Sequence, residues 1–311
     1  MSPGRSCPLH YRYSPQAFAR APDFEAASLY VIGGLYGNVP ALEAALELAA
    51  REPAPVTLAF NGDFNWFNIS DDTFRVINTE VLRHHALRGN VETEIASDDS
   101  DAGCGCAYPD YVGVDEVERS NAIIAKLRDT ARPHATLRAR LAALPMHQVA
   151  LVGGVRVAIV HGDLEALAGW SLAQEQLAYD HAINIVKKHI VDANCRIIAS
   201  SHTCLPVALR LDTAIGQCAV FNNGAAGMPN FCDGQYGVIT RIATTPLAAH
   251  PSLYGARMAG IFVDAIAVNY DKLRWQREFL QAWPQGSVAY ASYYNRITAG
   301  PAYSVTQAAR L

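Results

Sequence analysis

The stretch SLYVIGGLYGNVPALEAALELAARE, residues 28–52, runs from an apolar segment through a glycine-rich turn into an amphipathic helix. Ser28–Ile32 reads as a buried strand. Pro40 falls in the first turn of the helix over Pro40–Glu52, where its missing N–H would have had no partner. The turn between them has the shape of a phosphate or metal loop but carries no charged residue.

The same alternation continues along the chain. VTLAFN (Val56–Asn61) reads as a second strand, ending in Gly62-Asp63. Asp71–His85 reads as a helix with carboxylates at its start and histidines at its end, as the helix dipole favours. Ala86–Arg88 is a third short strand, ending in Gly89-Asn90. This order implies a largely parallel sheet flanked by helices, an α/β architecture. A polar insertion follows at Ser97–Asp115, then helices over Val117–Arg132 and Ala135–Leu144. HQVALVGGVRVAIVHGD (147–163) is two alternating runs joined by Gly153-Gly154, a hairpin signal. Beyond it lie a helix over Leu172–Asp192, the strand CRIIAS, the loop SHTCLP and strands near Val207–Leu211, Gln217–Phe221 and Tyr236–Ile242. The expected organisation is an irregular arm at 1–27, punctuated by Pro3, Pro8, Pro15 and Pro22, one domain at 28–245, and a C-terminal extension at 246–311 with a helix near Asp271–Ala282.

Composition narrows the function classes. Half of the 311 residues are hydrophobic and 17% are charged, enough apolar material for a core and too little charge for a disordered chain. The net charge of -4 offers no basic field for nucleic acid. No apolar run approaches the roughly 18 residues of a membrane span, and the first residues lack a signal-peptide core. Seven scattered cysteines fit a reducing cytoplasm better than a disulfide framework.

Polar signals gather at the ends of four strands: Gly62-Asp63, Gly89-Asn90, His161-Gly162-Asp163 and Ser201-His202-Thr203. Ligands of α/β sheets bind outside the carboxyl ends of strands, and Asp, Asn and His all ligate divalent metals. Each signal alone is a common turn. Together, in this order, they point to a metal site.

At these residues the chain resembles the calcineurin-like metallophosphoesterases, in particular their bacterial phosphodiesterase-like branch. NGDFNW, RGNVE, VHGD and SSHTC look like the second to fifth motifs of that family, and FNNGAAGMP (221–229) is similar to the segment beyond its last histidine. The resemblance covers about Ser28–Ile242. It implies a four-layer αββα sandwich of the metallophosphoesterase type and a two-metal site at the strand ends. GGLYGN stands where the family's first motif has Asp-x-His-Gly-Asn, so that Asp is Gly34 here and that His is Tyr36. The second His of the last motif is Cys204. Those three positions serve one ion in the family. The matching ligands of the other ion, Asp63, Asn90, His161 and His202, are all kept, with Asp63 at the bridging position.

The resemblance therefore implies one divalent ion, manganese, iron or zinc, with two as the alternative should Tyr36, Cys204 and Asp63 hold another. The bland counterpart is that Tyr36 fills the vacated volume and Cys204 is a small buried hydrophobe. The expected activity is hydrolysis of a phosphate ester, as phosphodiesterase or phosphatase, on a small phosphorylated substrate. Two alternatives are a non-catalytic member that binds a phosphorylated ligand or protein partner, and redox or lyase chemistry on a single metal. Val91 follows Asn90 where many members have a leaving-group His, so no general acid is visible. Asn65 and Tyr36 are candidate substrate contacts. Cys104-x-Cys106 reads as an exposed loop placed to overhang the cleft. His84-His85 is explained by the dipole of the helix it ends. Trp66, Phe67 and Trp170 read as core or pocket lining. The aromatic-rich tail, including Trp275, Trp283, Tyr293 and Tyr294, is expected to pack on the sandwich or form an oligomer contact.

Overall fold

The computed structural model describes residues 2–232, 234–248 and 250–311. In chain order its elements are β1 (Phe24–Ala26), β2 (Ser28–Ile32), α1 (Val39–Ala50), β3 (Thr57–Asn61), α2 (Asp71–Val81), β4 (His85–Leu87), α3 (Asn90–Ala96), α4 (Val114–Ala131), α5 (Ala135–Ala142), β5 (His147–Val152), β6 (Val155–Val160), α6 (Asp180–Ala193), β7 (Ile197–Ser200), β8 (Val207–Thr213), β9 (Gly216–Asn222), β10 (Gly237–Ala243), β11 (Tyr254–Met258), β12 (Ile261–Val268), α7 (Lys272–Ala282), α8 (Val288–Ala299), α9 (Val305–Ala308) and β13 (Ala309–Arg310). One sheet has the order β1-β5-β6-β7-β9-β8-β13 and the other β11-β12-β10-β2-β3-β4.

Side-chain alternation along the strands explains the layering. On β2, Leu29 and Val31 point between the sheets, while Tyr30 and Ile32 point to the helices outside. On β6, Val157 and Ile159 enter the inter-sheet core, while Ala158 and Val160 pack with Val186 and Ile190 of α6. Both faces of each sheet are thus covered, which makes the expected αββα sandwich. The strands β2, β3 and β4 run parallel in one sheet, and β6 and β7 run parallel in the other.

Local signals placed most elements within a few residues. The Asn38 side chain caps α1 by accepting from the Ala41 N–H at 2.9 Å. Gly153 and Gly154, with φ of 54° and 80°, close the β5–β6 hairpin. The helix expected through His85 stops at Val81, because His85 opens β4. The helix expected from Leu172 starts at Asp180, after a 3-10 turn at Gln176–Ala178. The short helix α3 and the long α8 carried no sequence signal that was read.

Both ends of the chain contribute strands to the sheets. Phe24–Ala26 pairs in parallel with β5. The tail supplies β11 and β12, joined by a turn at Ala259-Gly260 with φ of 50° and 88°, and β12 pairs with β10 along its length. The alternating YGARM and IFVDAIAV runs carry this hairpin.

On β10, Arg241 is fully buried. Its guanidinium contacts Glu52 at 2.5 Å and Asp264 at 3.5 Å, and the Tyr30 hydroxyl donates to Glu52 at 2.8 Å. Removing one partner of a buried pair leaves the other charge without compensation. Asp264 stays beside Arg241 in Glu52→Ala, so the variant should lower the unfolding free energy by less than the about 3–5 kcal/mol of a fully broken buried pair, read by urea denaturation.

Candidate metal centre

The four strand-end signals meet at one place. Asp63 and Asn90 follow β3 and β4, and His161 and His202 follow β6 and β7, so each sheet contributes two. All four are nearly or fully buried. One oxygen or nitrogen from each of Asp63, His161 and His202 lies within 4.8 Å of the others. His161 Nε2 is 3.1 Å from Asn90 Oδ1, 3.3 Å from Asp63 Oδ1 and 3.0 Å from His202 Nδ1.

The backbone assigns the roles of the ring nitrogens. His161 Nδ1 donates to the Asn61 carbonyl at 2.9 Å, and His202 Nε2 donates to the Cys106 carbonyl at 3.0 Å. Neutral rings so anchored turn the lone pairs of His161 Nε2 and His202 Nδ1 toward each other. Asn90 is oriented the same way: its Nδ2 donates to the Cys104 carbonyl at 2.9 Å, leaving Oδ1 toward His161. Four acceptors therefore converge, and only a proton or a cation reconciles them. Burial by itself would push His161 down, but the Asp63 carboxylate beside it raises it. Burial and the neighbouring His161 push His202 down to about 3. The donor set of two imidazoles, a carboxylate and an amide oxygen fits one divalent ion.

Close packing builds the loops around this set. Asp63 sits at φ of 54°, uncommon outside glycine. Glu92 holds the turn: its carboxylate accepts the backbone N–H groups of Asp63 (2.7 Å), Gly89 (3.0 Å), Phe64 (3.1 Å) and Asn65 (3.2 Å). Burial and the Asp63 charge push Glu92 up to about 7. A Cβ on Gly89 would collide with the Asp63 carboxylate. Glu92 was missed from the sequence, although its place three residues into the RGNVE turn was the available signal.

Gly34, Tyr36 and Cys204 pack together beside this set. Tyr36 is buried, with φ of 56°, and its hydroxyl lies 3.0 Å from Cys204 Sγ. A Cβ on Gly34 would stand 3.0 Å from Cζ and from the hydroxyl oxygen of Tyr36. The phenol thus spans the space between residues 34 and 204. Burial, then Cys204 and Asp63, raise Tyr36 well above its ordinary value, and burial raises Cys204, so both keep their protons.

Tyr36, Asp63, Asn90, His202 and Cys204 line a cavity of about 40 Å³ walled by Trp66, Tyr108, Trp170 and Tyr293. That is room for about three waters, if each needs about 10–15 Å³. Phe67 packs in the core, against Phe279 and Tyr293. His84 pairs with Glu80 at 3.0 Å, away from the site. Asp163 organises its own loop, accepting from Glu165, Ala166 and Ser171.

Two expectations need correction. Asn65 was expected to reach a substrate phosphate. It is fully buried, and its amide is used up by Asn78, Glu92 and Asn68. The Cys104–Cys106 loop was expected to be exposed. It is buried and bridged by a disulfide, and its carbonyls orient Asn90 and His202. The N-terminal residues hold it down: Gly4 N–H donates to the Ala102 carbonyl at 2.8 Å, and Tyr108 N–H donates to the Gly4 carbonyl at 2.9 Å. The other five cysteines are free, so the bridge is local and no wider framework exists among the described residues.

No protein-family model and no curated protein matches the chain. Solved structures do. A metallophosphoesterase from Sphaerobacter thermophilus superposes with a TM-score of 0.58 at 18% identity, covering 89% of this chain and 100% of that one. A hypothetical protein from Pyrococcus horikoshii OT3 superposes with a TM-score of 0.58 at 17% identity, covering 89% and 99%. The chain has the fold of the calcineurin-like metallophosphoesterases. No helix among the described residues is long and apolar enough to cross a membrane.

Each buried N–H left without an acceptor costs about 1–3 kcal/mol. Glu92→Ala, which strips four of them, should lower the unfolding free energy by more than about 3 kcal/mol. The same variant should bind metal more weakly, read by elemental analysis after dialysis.

Proposed function

We propose that this protein is a cytoplasmic metal-dependent phosphoesterase, a phosphodiesterase or phosphatase, working with one divalent ion held by Asp63, Asn90, His161 and His202. The observation that carries the reading is the convergence of four acceptor atoms, three of them on side chains whose other polar atom is committed to a backbone carbonyl. Such a set is built for a cation. Bound there, a divalent ion supplies Lewis-acid polarisation of a phosphoryl oxygen and an acidified water.

The residues of the chain do the rest. The Asn61 and Cys106 carbonyls lock the two imidazole orientations. The Val91 N–H donates to Asp63 Oδ1 at 3.2 Å, which holds that carboxylate in place. The aromatic walls exclude bulk water, which strengthens charge interactions inside. A small phosphorylated substrate fits the reading: the ester group enters the cavity and the remainder stays outside. Gly34, Tyr36 and Cys204 give no charged ligand for another ion, which supports a mononuclear centre.

The protein purified without chelators or affinity metals should contain about one equivalent of manganese, iron or zinc by elemental analysis. His202→Ala should lose most of it, and Cys204→Ala should keep it. Equal losses would mean that Cys204 is a ligand. The metal-loaded protein should hydrolyse bis(p-nitrophenyl) phosphate or p-nitrophenyl phosphate, with turnover abolished by a chelator. Metal and phosphate binding without turnover would favour the non-catalytic alternative.

A further inference from the structure

The cavity has one polar wall that the ion does not explain. Its donors are nearly all engaged with oxygen. Trp170 Nε1 donates to the Cys106 carbonyl at 2.9 Å. The Tyr108 hydroxyl pairs with Ser120 at 3.0 Å, and Tyr293 pairs with Tyr108 and Trp66. The amide of Asn90 and the outer nitrogen of His202 are held by carbonyls. Tyr36 is different. Among the described residues its hydroxyl has one hydrogen-bond partner, the Cys204 sulfur at 3.0 Å. That thiol in turn donates to the His202 carbonyl at 3.3 Å, so the Tyr36 O–H donates to sulfur. Thiol sulfur is a weak acceptor. A phosphoryl oxygen is a far stronger one, and a hydrogen bond to a charged acceptor is about twice as strong as a neutral one.

Tyr36 is also held firmly for this task. Its backbone lies at φ of 56° and that of Cys204 at φ of 64°, conformations that side-chain-bearing residues adopt at a cost. The loop is fixed by the Tyr36 N–H to the Asp63 carbonyl at 3.1 Å and the Gly37 N–H to the Phe64 carbonyl at 2.8 Å. Behind it, Arg296 of α8 donates to the Cys204 carbonyl at 2.5 Å. Gly34 leaves the space that the ring uses.

We infer that Tyr36 is a catalytic residue: its O–H leaves the Cys204 sulfur and donates a hydrogen bond to a phosphoryl oxygen of the bound substrate. It keeps its proton throughout and acts as an oriented dipole in the cavity that Asp63, Asn90 and His202 also line. This rests on the phosphoesterase reading above and adds to it a side-chain group that offsets phosphoryl charge.

Tyr36→Phe removes the donor and keeps the ring that fills the space. In the metal-loaded protein, inorganic phosphate should bind about tenfold or more weakly by isothermal titration calorimetry, the loss of one hydrogen bond to a charged group. Turnover of bis(p-nitrophenyl) phosphate should fall about 10²–10³-fold, as when one transition-state donor is removed. Metal content and melting temperature should match the parent. Unchanged phosphate affinity and turnover in Tyr36→Phe would make Tyr36 a space-filling residue and overturn the inference alone. Lost metal in Tyr36→Phe would overturn it too, because the side chain would then serve the ion. A parent that binds phosphate without turnover would overturn the hydrolase reading, and the affinity comparison would still decide the role of Tyr36 as a donor. A parent that binds no phosphate would overturn both.

Discussion

Asn61, the last residue of β3, joins the two sheets through a reciprocal pair of contacts. Its side-chain amide donates to the Val160 carbonyl at 2.9 Å, and its own carbonyl accepts from His161 Nδ1 at 2.9 Å. One residue thereby registers the carboxyl end of β3 against the carboxyl end of β6. The inter-sheet core alone would not set this register, since apolar packing is non-directional. With it set, Asp63 and His161 meet, and the neighbouring strands bring Asn90 and His202 to the same point. Gly62 is part of this constraint: a Cβ there would stand 2.6 Å from His161 Nδ1.

Around that point the structure spends its buried polar groups on orientation. Glu92 gathers four N–H groups of two loops, and the carbonyls of Cys104 and Cys106 turn Asn90 and His202 inward. The covering loop is held by parts of the chain far from it. Arg5 donates to the Pro109 and Val112 carbonyls, and Tyr11 donates to Glu94, which in turn pairs with Arg128 of α4. Helix α8 closes the other side with Tyr293 and Arg296. Buried groups satisfied in this way hold one geometry, because any rearrangement would leave several of them unpaired at once.

Gly34, Tyr36 and Cys204 behave as one set. The ring of Tyr36 needs the missing side chain of Gly34, and its hydroxyl needs the thiol that stands at residue 204. The loop makes a sharp turn and is hydrogen-bonded to the Asp63 loop. The phenol and the thiol fill the space beside Gly34, as close packing of an interior favours.

Much of the fold was legible because its signals are local. Alternation along SLYVI and VRVAIV, the Asn38–Pro40 helix start and the Gly153-Gly154 turn each depend on neighbouring residues only. The candidate ligands were legible for the same reason: each ends a strand, and strand ends of a parallel sheet share one edge. What the sequence could not carry was contact between distant segments. Nothing near Asn65 tells that Glu92 and Asn78 use its amide. Nothing in GCGC, surrounded by Asp, Ser and Gly, tells that residues 3–11 and α4 bury it. The strands at Tyr254–Val268 were not expected from the sequence, and neither was their place beside β10. By itself the sequence determined which segments are strands and helices and which side chains stand at their ends, because period and turn chemistry are properties of short windows. The tertiary structure decided which of those side chains face one cavity, which polar groups are already paired, and what fills the space beside Gly34. Those depend on approach distances and hydrogen-bond partners between residues far apart in the chain.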